Sequence, residues 1–311
     1  MNGPKPKAVV ITGPTGSGKT RLAVQAGLRL GGEIINADSL AFYRGFNIGA
    51  AKASAEEQKL VPHHLLDVAD PDQNFDAAAY IAAARPLVVR LGQAGRIPLI
   101  AGGTGFYLRS LVRGLFQGPG RQEAIRSELE DRFREGEDLH QILLREDPLA
   151  AAQIPPRDKI RIIRALEVIR SSGRSIVSFQ KEHRLADRPF RTLILVLDPD
   201  RRELEDIIVR RTRAMFSGGL IDEIRNLLAA GWDPGLKPFQ AIGYKEGCAH
   251  LAGKMTLEEA AELTCRRTIK LVKRQKTFFR GQVPDARWVR PDPAELTDLI
   301  KKFWETEDVG R

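Results

Sequence analysis

Residues Gly13 to Thr20, GPTGSGKT, carry the clearest chemical pattern in the chain. A glycine, four residues and Gly-Lys-Thr follow directly after the apolar run AVVIT. Glycines at this spacing let the backbone curl so that several N–H groups point at one anion, and the lysine adds a positive charge. The pattern predicts a phosphate-binding loop formed by Gly13, Pro14, Thr15, Gly16, Ser17, Gly18, Lys19 and Thr20. Within it, the Thr20 hydroxyl is the predicted ligand of Mg²⁺.

Two further polar segments are candidates for the same site. Asp38 and Ser39 follow EIINA, which is predicted to be a short strand, and Thr104 lies in AGGTG, after IPLI. Residues 7–38 have the pattern of a strand, a helix and a strand, which is typical of a βαβ unit with parallel strands, and another strand is predicted at 97–103. Because ligands bind at the carboxyl ends of such strands, all three segments are expected at one edge of the sheet.

The acidic residues do not follow the pattern of an NTP-hydrolysing enzyme. A P-loop NTPase usually has a second acid at the end of an apolar strand, but IAGGTG has none. Asp198, after LILVL, is interpreted mainly as a residue that begins a helix. Asp38 remains as the acid beside the phosphates, with the start of a helix as its alternative role. For Thr104, the alternative is a hydroxyl that stabilises a glycine turn.

The pattern of the chain changes after Phe116. Mixed charges at helical spacing follow, and the next convincing strand is RTLILVLD at 191–198. We predict an α/β protein: a P-loop NTPase-like parallel sheet core from residues 1–116 and 191–311, with C-terminal basic helices. An all-helical domain is inserted at 117–190.

The charge of the chain favours a polyanionic partner. The sequence has 49 Lys and Arg against 40 Asp and Glu, a net charge of +9. Between Thr264 and Arg290 nine basic residues stand against one acid, Asp285. A solvated helix face normally mixes signs, so this run indicates contact with a phosphate backbone.

Cysteine spacing and hydropathy indicate a cytosolic protein that does not bind a membrane. Cys248 and Cys265 are too far apart for the close pairs of a zinc site. The apolar segment near the N-terminus is far shorter than the ~20 residues of a membrane span.

Seven segments occur in the order found in the tRNA dimethylallyltransferases, which the chain resembles from about Val9 to Arg280. They are GPTGSGKT, INADSLAFYRGFNIGAAK, PHHLLDV, AGGTGFYLRSL, RDKIRIIRALEVIRSSG, FQAIGYKE and KRQKTFFR. The resemblance implies transfer of a dimethylallyl group from dimethylallyl diphosphate to the exocyclic amino nitrogen N6 of adenosine 37 in tRNA. It also implies that the phosphate loop and Mg²⁺ hold a departing diphosphate.

The resemblance implies roles for individual residues. Asp38 would orient the amino group and accept its proton, Thr104 would contact the substrate at the reacting end, and Arg211 would help bind the diphosphate. The implied tRNA-binding residues are Asp38, Ser39, Leu40, Ala41, Thr104, Arg126, Ile160, Arg161, Ile162, Ile163, Arg164, Gly243, Tyr244, Lys245, Lys273 and Arg274. The helical insertion would clamp the anticodon stem-loop, with the target base turned out of the stack. A monomer is expected.

Three positions depart from the family pattern, and three other functions stay open. Ala41 replaces a usual Gln, Gly16 a common Ala, and Ile269 an Arg of many members. The loss of a polar side chain at Ala41 bears on tRNA selectivity or efficiency more than on the reaction. The alternatives are a small-molecule P-loop kinase, an isopentenyltransferase for free adenine nucleotide, and a non-catalytic RNA-binding module. The basic run and the insertion argue against the first two, and Asp38 beside an intact phosphate loop argues against the third.

Overall fold

The computed structural model of the chain describes residues 5–116, 118–183 and 187–306. The chain divides into two compact units, Met1–Val112 with Pro189–Arg311, and Arg113–Arg188. The boundaries predicted from the sequence, 116/117 and 190/191, lie within a few residues of these.

The first unit is built on a parallel sheet. Its strands, within the described ranges, are β1 (Lys7–Thr12), β2 (Gly32–Asn36), β3 (His63–His64), β4 (Ile97–Ala101), β5 (Arg191–Leu197) and β6 (Arg287–Val289). Their order is β3-β2-β4-β1-β5-β6, and every neighbouring pair is parallel. In β1, Val9 lies opposite Leu99 on one side and Leu193 on the other. The run AVVI is continuously apolar because this central strand is buried on both faces.

Helices flank the sheet and make up the second unit. In chain order they are α1 (Lys19–Leu30), α2 (Ala55–Leu60), α3 (Ala77–Gln93), α4 (Gly105–Arg113), α5 (Glu123–Arg134), α6 (Leu139–Glu146), α7 (Pro148–Ala151), α8 (Lys159–Ser172), α9 (Ile176–His183), α10 (Arg201–Ser217), α11 (Leu220–Ala229), α12 (Tyr244–Leu251), α13 (Leu257–Gln282) and α14 (Pro293–Glu305). The predicted α/β class, with a parallel sheet and an inserted helical unit, is confirmed. Among the described residues, no helix combines the length and the apolar character needed to cross a membrane.

Local signals set the ends of the helices that border the phosphate loop. α1 is flanked by Gly18 and Gly31, both left-handed, with φ of 82° and 68°. α10 is capped at its N-terminus by Asp200, whose carboxylate accepts hydrogen bonds from Arg202 N and Glu203 N. The interpretation of Asp198 as a helix-starting residue was therefore wrong. Its carboxylate instead pairs with Lys276, at 2.6 Å.

The second unit has an apolar core of its own. Leu129 of α5, Leu143 of α6 and Leu166 of α8 are fully buried there, and Ile176 and Val177 of α9 pack against the same cluster. Hydrophobic contacts within the unit therefore stabilise it.

Candidate active site

A cavity of about 530 Å³ lies at the carboxyl edge of the sheet. The loops after β1, β2 and β4 reach it through Thr15, through Asp38 to Leu40, and through Gly103 to Phe106. α10, the segment before α12, and α13 complete its wall, with apolar contributions from Ile208, Met215, Ile242, Leu271, Phe278 and Phe279. The cavity therefore joins a phosphate loop and a carboxylate to an apolar surface.

The phosphate loop has the backbone that its glycines predict. Gly13 has φ of 147°, and a Cβ there would lie 2.7 Å from Leu197 O, so a side chain would clash with β5. Ser17 Oγ is buried and, among the described residues, has no hydrogen-bond partner. Lys19 Nζ donates to Gly13 O and Pro14 O, at 3.1 and 2.8 Å. A buried hydroxyl and an ammonium group in one loop are chemically suited to an anion.

Burial perturbs the cations beside this loop. It lowers the pKa of Lys19 to about 8, an effect that Asp38 opposes and Arg211 reinforces. Burial also lowers the pKa of Arg211, again opposed by Asp38. Arg211 Nη1 donates to Thr15 Oγ1 at 3.3 Å, which brings this predicted diphosphate ligand to the phosphate loop. A bound diphosphate would supply negative charge that Asp38 alone does not provide.

Asp38 and Thr104 lie on two loops that are hydrogen-bonded to each other. Asn36 holds the Asp38 backbone: its Oδ1 accepts from Asp38 N at 3.0 Å, and its Nδ2 donates to Asp38 O at 3.2 Å. Asp38 Oδ1 accepts from Leu40 N at 3.0 Å, and Thr104 Oγ1 accepts from Ser39 N at 2.9 Å. In the described part of the chain the next helix begins at Ala55, so Asp38 does not begin a helix. The Thr104 hydroxyl acts as an acceptor in this contact, and it also carries a proton that it can donate.

Gln275 is a residue of this site that the sequence did not single out. Its side chain contacts the phosphate loop and the loop after β4, and it lines the cavity. The signal that pointed to α13 was its excess of positive charge, and an uncharged residue adds nothing to that signal.

The structure divides the predicted tRNA-binding residues by exposure. Lys245, Lys273, Arg274, Ile160 and Arg161 are exposed, and Arg274 also lines the cavity together with Ser39 and Leu40.

A second group of the predicted tRNA-binding residues is buried. Ala41, Ile162, Ile163, Gly243 and Tyr244 lie in the interior. Ile162 and Ile163 belong to the core of the second unit, and the Tyr244 hydroxyl donates to Glu223. Because these side chains are enclosed, they act through packing.

Arg126 and Arg164 form ion pairs with a buried carboxylate. Glu167 is fully buried, and its Oε1 accepts from Arg126 Nε at 2.9 Å and from Gln122 N at 2.6 Å. Its Oε2 accepts from Arg164 Nη1 at 2.5 Å. Burial alone would raise the pKa of Glu167, but these donors outweigh burial and lower it. The two arginines are therefore structural cations of the second unit in this conformation, and Arg161 is the exposed predicted cation on α8.

The chain is similar to known proteins over most of its length. The model of the IPP transferase family matches residues 41–282. A tRNA dimethylallyltransferase of Geobacter sulfurreducens is 46% identical over 289 residues, which cover 92% of this chain and 93% of that protein. One from Syntrophobacter fumaroxidans is 44% identical, over 97% of this chain and 88% of that protein.

A solved structure extends the likeness to the fold. The crystal structure of a tRNA isopentenylpyrophosphate transferase from Bacillus halodurans matches with a TM-score of 0.72 at 38% identity, covering 97% of each chain. The sequence and the fold of this chain are thus similar to those of these proteins over nearly its whole length. The chain therefore belongs to the IPP transferase family, that of the tRNA dimethylallyltransferases.

Proposed function

We propose that the chain transfers the dimethylallyl group from dimethylallyl diphosphate to N6 of adenosine 37, next to the anticodon of tRNA. The observation that carries the proposal is a single cavity in which a phosphate loop and the carboxylate of Asp38 meet an apolar wall. A phosphate loop suits the diphosphate, and an apolar wall suits a five-carbon allyl group. The family to which the chain belongs supports the same reaction.

Different residues of the cavity have different roles in this transfer. The lone pair of N6 forms a bond to the first allyl carbon, while the bond from that carbon to oxygen breaks and its electron pair leaves with the diphosphate. Lys19 and Arg211 stabilise the negative charge that grows on the leaving group. Asp38 orients the amino group and accepts the proton that the nitrogen loses, and the Thr104 hydroxyl helps to hold the substrate at the reacting end.

The residues of the phosphate loop fit a diphosphate that brings Mg²⁺ with it. Ser17 Oγ, buried and unpartnered among the described residues, can donate to a phosphate oxygen, and the Thr20 hydroxyl can bind the ion. Mg²⁺ commonly uses only one or two protein ligands together with phosphates and waters, so it needs no separate cluster of carboxylates. When bound, the ion would neutralise charge on the leaving group.

The acceptor is a tRNA whose target base is turned out of the anticodon loop. Because the carboxylate lies in a cavity, an adenine stacked in its loop cannot reach it. The exposed cations Lys245, Lys273 and Arg274 are proposed to hold the RNA backbone, with Arg161 as a further contact from the second unit. The proposed active form is a monomer.

Labelled dimethylallyl diphosphate tests the proposal. The purified protein is incubated with Mg²⁺ and either an unmodified tRNA that carries adenosine 37 or free AMP. Label is expected on the tRNA, at N6 of that adenosine. Label on AMP alone would favour the isopentenyltransferase of free nucleotides. Label on neither acceptor, together with phosphate transfer in a parallel assay with ATP and a small-molecule acceptor, would favour the kinase.

A further inference from the structure

Gln275 of α13 joins the two loops that hold the two partners of the proposed transfer. Its Oε1 accepts a hydrogen bond from Thr15 N, and its Nε2 donates one to Gly103 O, both at 2.9 Å. Thr15 belongs to the phosphate loop, which would hold the leaving group. Gly103 directly precedes Thr104, whose hydroxyl is bonded to the backbone next to Asp38. One amide group thus links the diphosphate side of the cavity to the acceptor side.

The chemistry of the amide suits this position. A glutamine carries an acceptor and a donor on one rigid plane, so it satisfies a backbone N–H and a backbone carbonyl at once. A glutamate could accept from Thr15 N but would place its second oxygen against Gly103 O. A lysine or arginine could donate to Gly103 O but would leave Thr15 N without its partner.

The helix that carries Gln275 is fixed at the next residue as well. Lys276 Nζ lies 2.6 Å from Asp198 Oδ1, directly after β5. This second tether holds the turn of α13 against the sheet, so the Gln275 amide has a fixed base from which to position both loops. The preceding residues, Lys273 and Arg274, are exposed on the same turn.

We propose that Gln275 is a positioning residue, which sets the distance between the departing diphosphate and the attacking amine by fixing the phosphate loop against the loop of Thr104. The inference rests on the proposed function. Gln275 is not required to touch either substrate, so its loss should affect alignment much more than binding. Misplacement of reacting groups by about 1 Å can cost about 100-fold in rate.

Gln275→Met tests this role, because methionine has a similar length and removes both hydrogen bonds. The single-turnover rate at saturating tRNA and dimethylallyl diphosphate is expected to fall about 30- to 100-fold. Affinities for inorganic diphosphate and for tRNA should stay within about threefold of the wild-type values. Gln282→Met is the matched control, since it makes the same change on the exposed part of the same helix, where Gln282 accepts from Arg109. The control should match wild type.

A Gln275→Met variant with wild-type single-turnover rate would overturn the inference, and so would a loss confined to substrate affinity. If Gln275→Met does not fold, Gln275→Glu decides, because it keeps the size and the acceptor for Thr15 N and replaces the donor to Gly103 O with a negatively charged oxygen. It should also lower the saturated rate, and a wild-type rate would again overturn the inference. Absence of transfer to tRNA by wild-type protein would instead refute the proposed function.

Discussion

Lys19 should take up a proton when a diphosphate binds above about pH 8. Burial lowers the pKa of this lysine to about 8, partly opposed by Asp38 and reinforced by Arg211. A bound diphosphate brings negative charge to the phosphate loop, favours the ammonium form and raises the pKa again. The complex therefore holds more protons than the free protein in the alkaline range.

The size of the effect follows from the pKa. At about pH 8.5, a group with a pKa of about 8 is about three-quarters deprotonated, so each binding event should consume about 0.7 proton. Through Lys19, affinity should fall by up to about tenfold per pH unit above pH 8 and be nearly constant below about pH 7. The stability of the fold changes with pH in the opposite direction. Between about pH 8 and 10.5 the unfolded chain binds more protons at Lys19 than the folded chain does, so the free energy of unfolding rises as pH rises through that window.

Calorimetric titration measures this proton directly. Dimethylallyl diphosphate is added, without tRNA, at about pH 8.5 in two buffers of different ionisation enthalpy, and the difference in heat gives the protons exchanged. Lys19→Met is the control for protons exchanged by the ligand itself, and it should lack the uptake of about 0.7 proton. Equal heats in the two buffers, or the same uptake in wild type and Lys19→Met, would refute the reasoning.

Three further changes test other parts of the molecule. Asp38→Ala should lower turnover at least about 100-fold while tRNA affinity in filter binding is retained, because the carboxylate is proposed to take the proton; near-normal turnover would remove that role. Glu167→Ala leaves two arginines without their buried carboxylate and should destabilise the second unit by about 2–3 kcal/mol, less than a fully buried pair because both guanidinium groups are partly exposed. Amide exchange in α8 measures this loss, and unchanged protection would contradict it. Gly102→Ala places a methyl group 2.2 Å from the Ala37 carbonyl carbon and should lower the free energy of unfolding in urea by more than about 2 kcal/mol. Gly92→Ala is the control, because nothing lies within 4 Å of the added methyl group, and it should be neutral or stabilising. Equal unfolding midpoints for the two variants would rule out the clash.

Local sequence patterns were sufficient for the parts of the fold nearest the phosphate loop. The strand, helix and strand predicted within residues 7–38 are present, and glycines flank the helix α1 on both sides. The phosphate loop, Asp38 and Thr104 could be grouped because each follows an apolar strand, and parallel strands end at a common edge. β3 and β6 were not predicted, since two or three residues are too few to show a periodicity.

Contacts between distant residues account for what the sequence did not predict. In the sequence, Arg126 and Arg164 have the pattern of surface cations, and only the fold shows that both donate hydrogen bonds to Glu167. Tyr244 appeared available to RNA until its contact with Glu223, 21 residues away, placed it in the interior. Gln275 meets partners 172 and 260 residues away, and no local pattern encodes such a contact.

During synthesis, β1 emerges long before its second neighbour. Its partner β4 ends at Ala101, but β5, which pairs with all six residues of β1, begins only at Arg191, after the helical unit has been made. Until then one edge of the apolar β1 has no strand beside it, and such an edge is prone to pair with other chains. Leu197, Arg211 and Gln275, which enclose the phosphate loop, are added later still. A nascent chain therefore contains the whole GPTGSGKT sequence well before the residues that pack around this loop have been made.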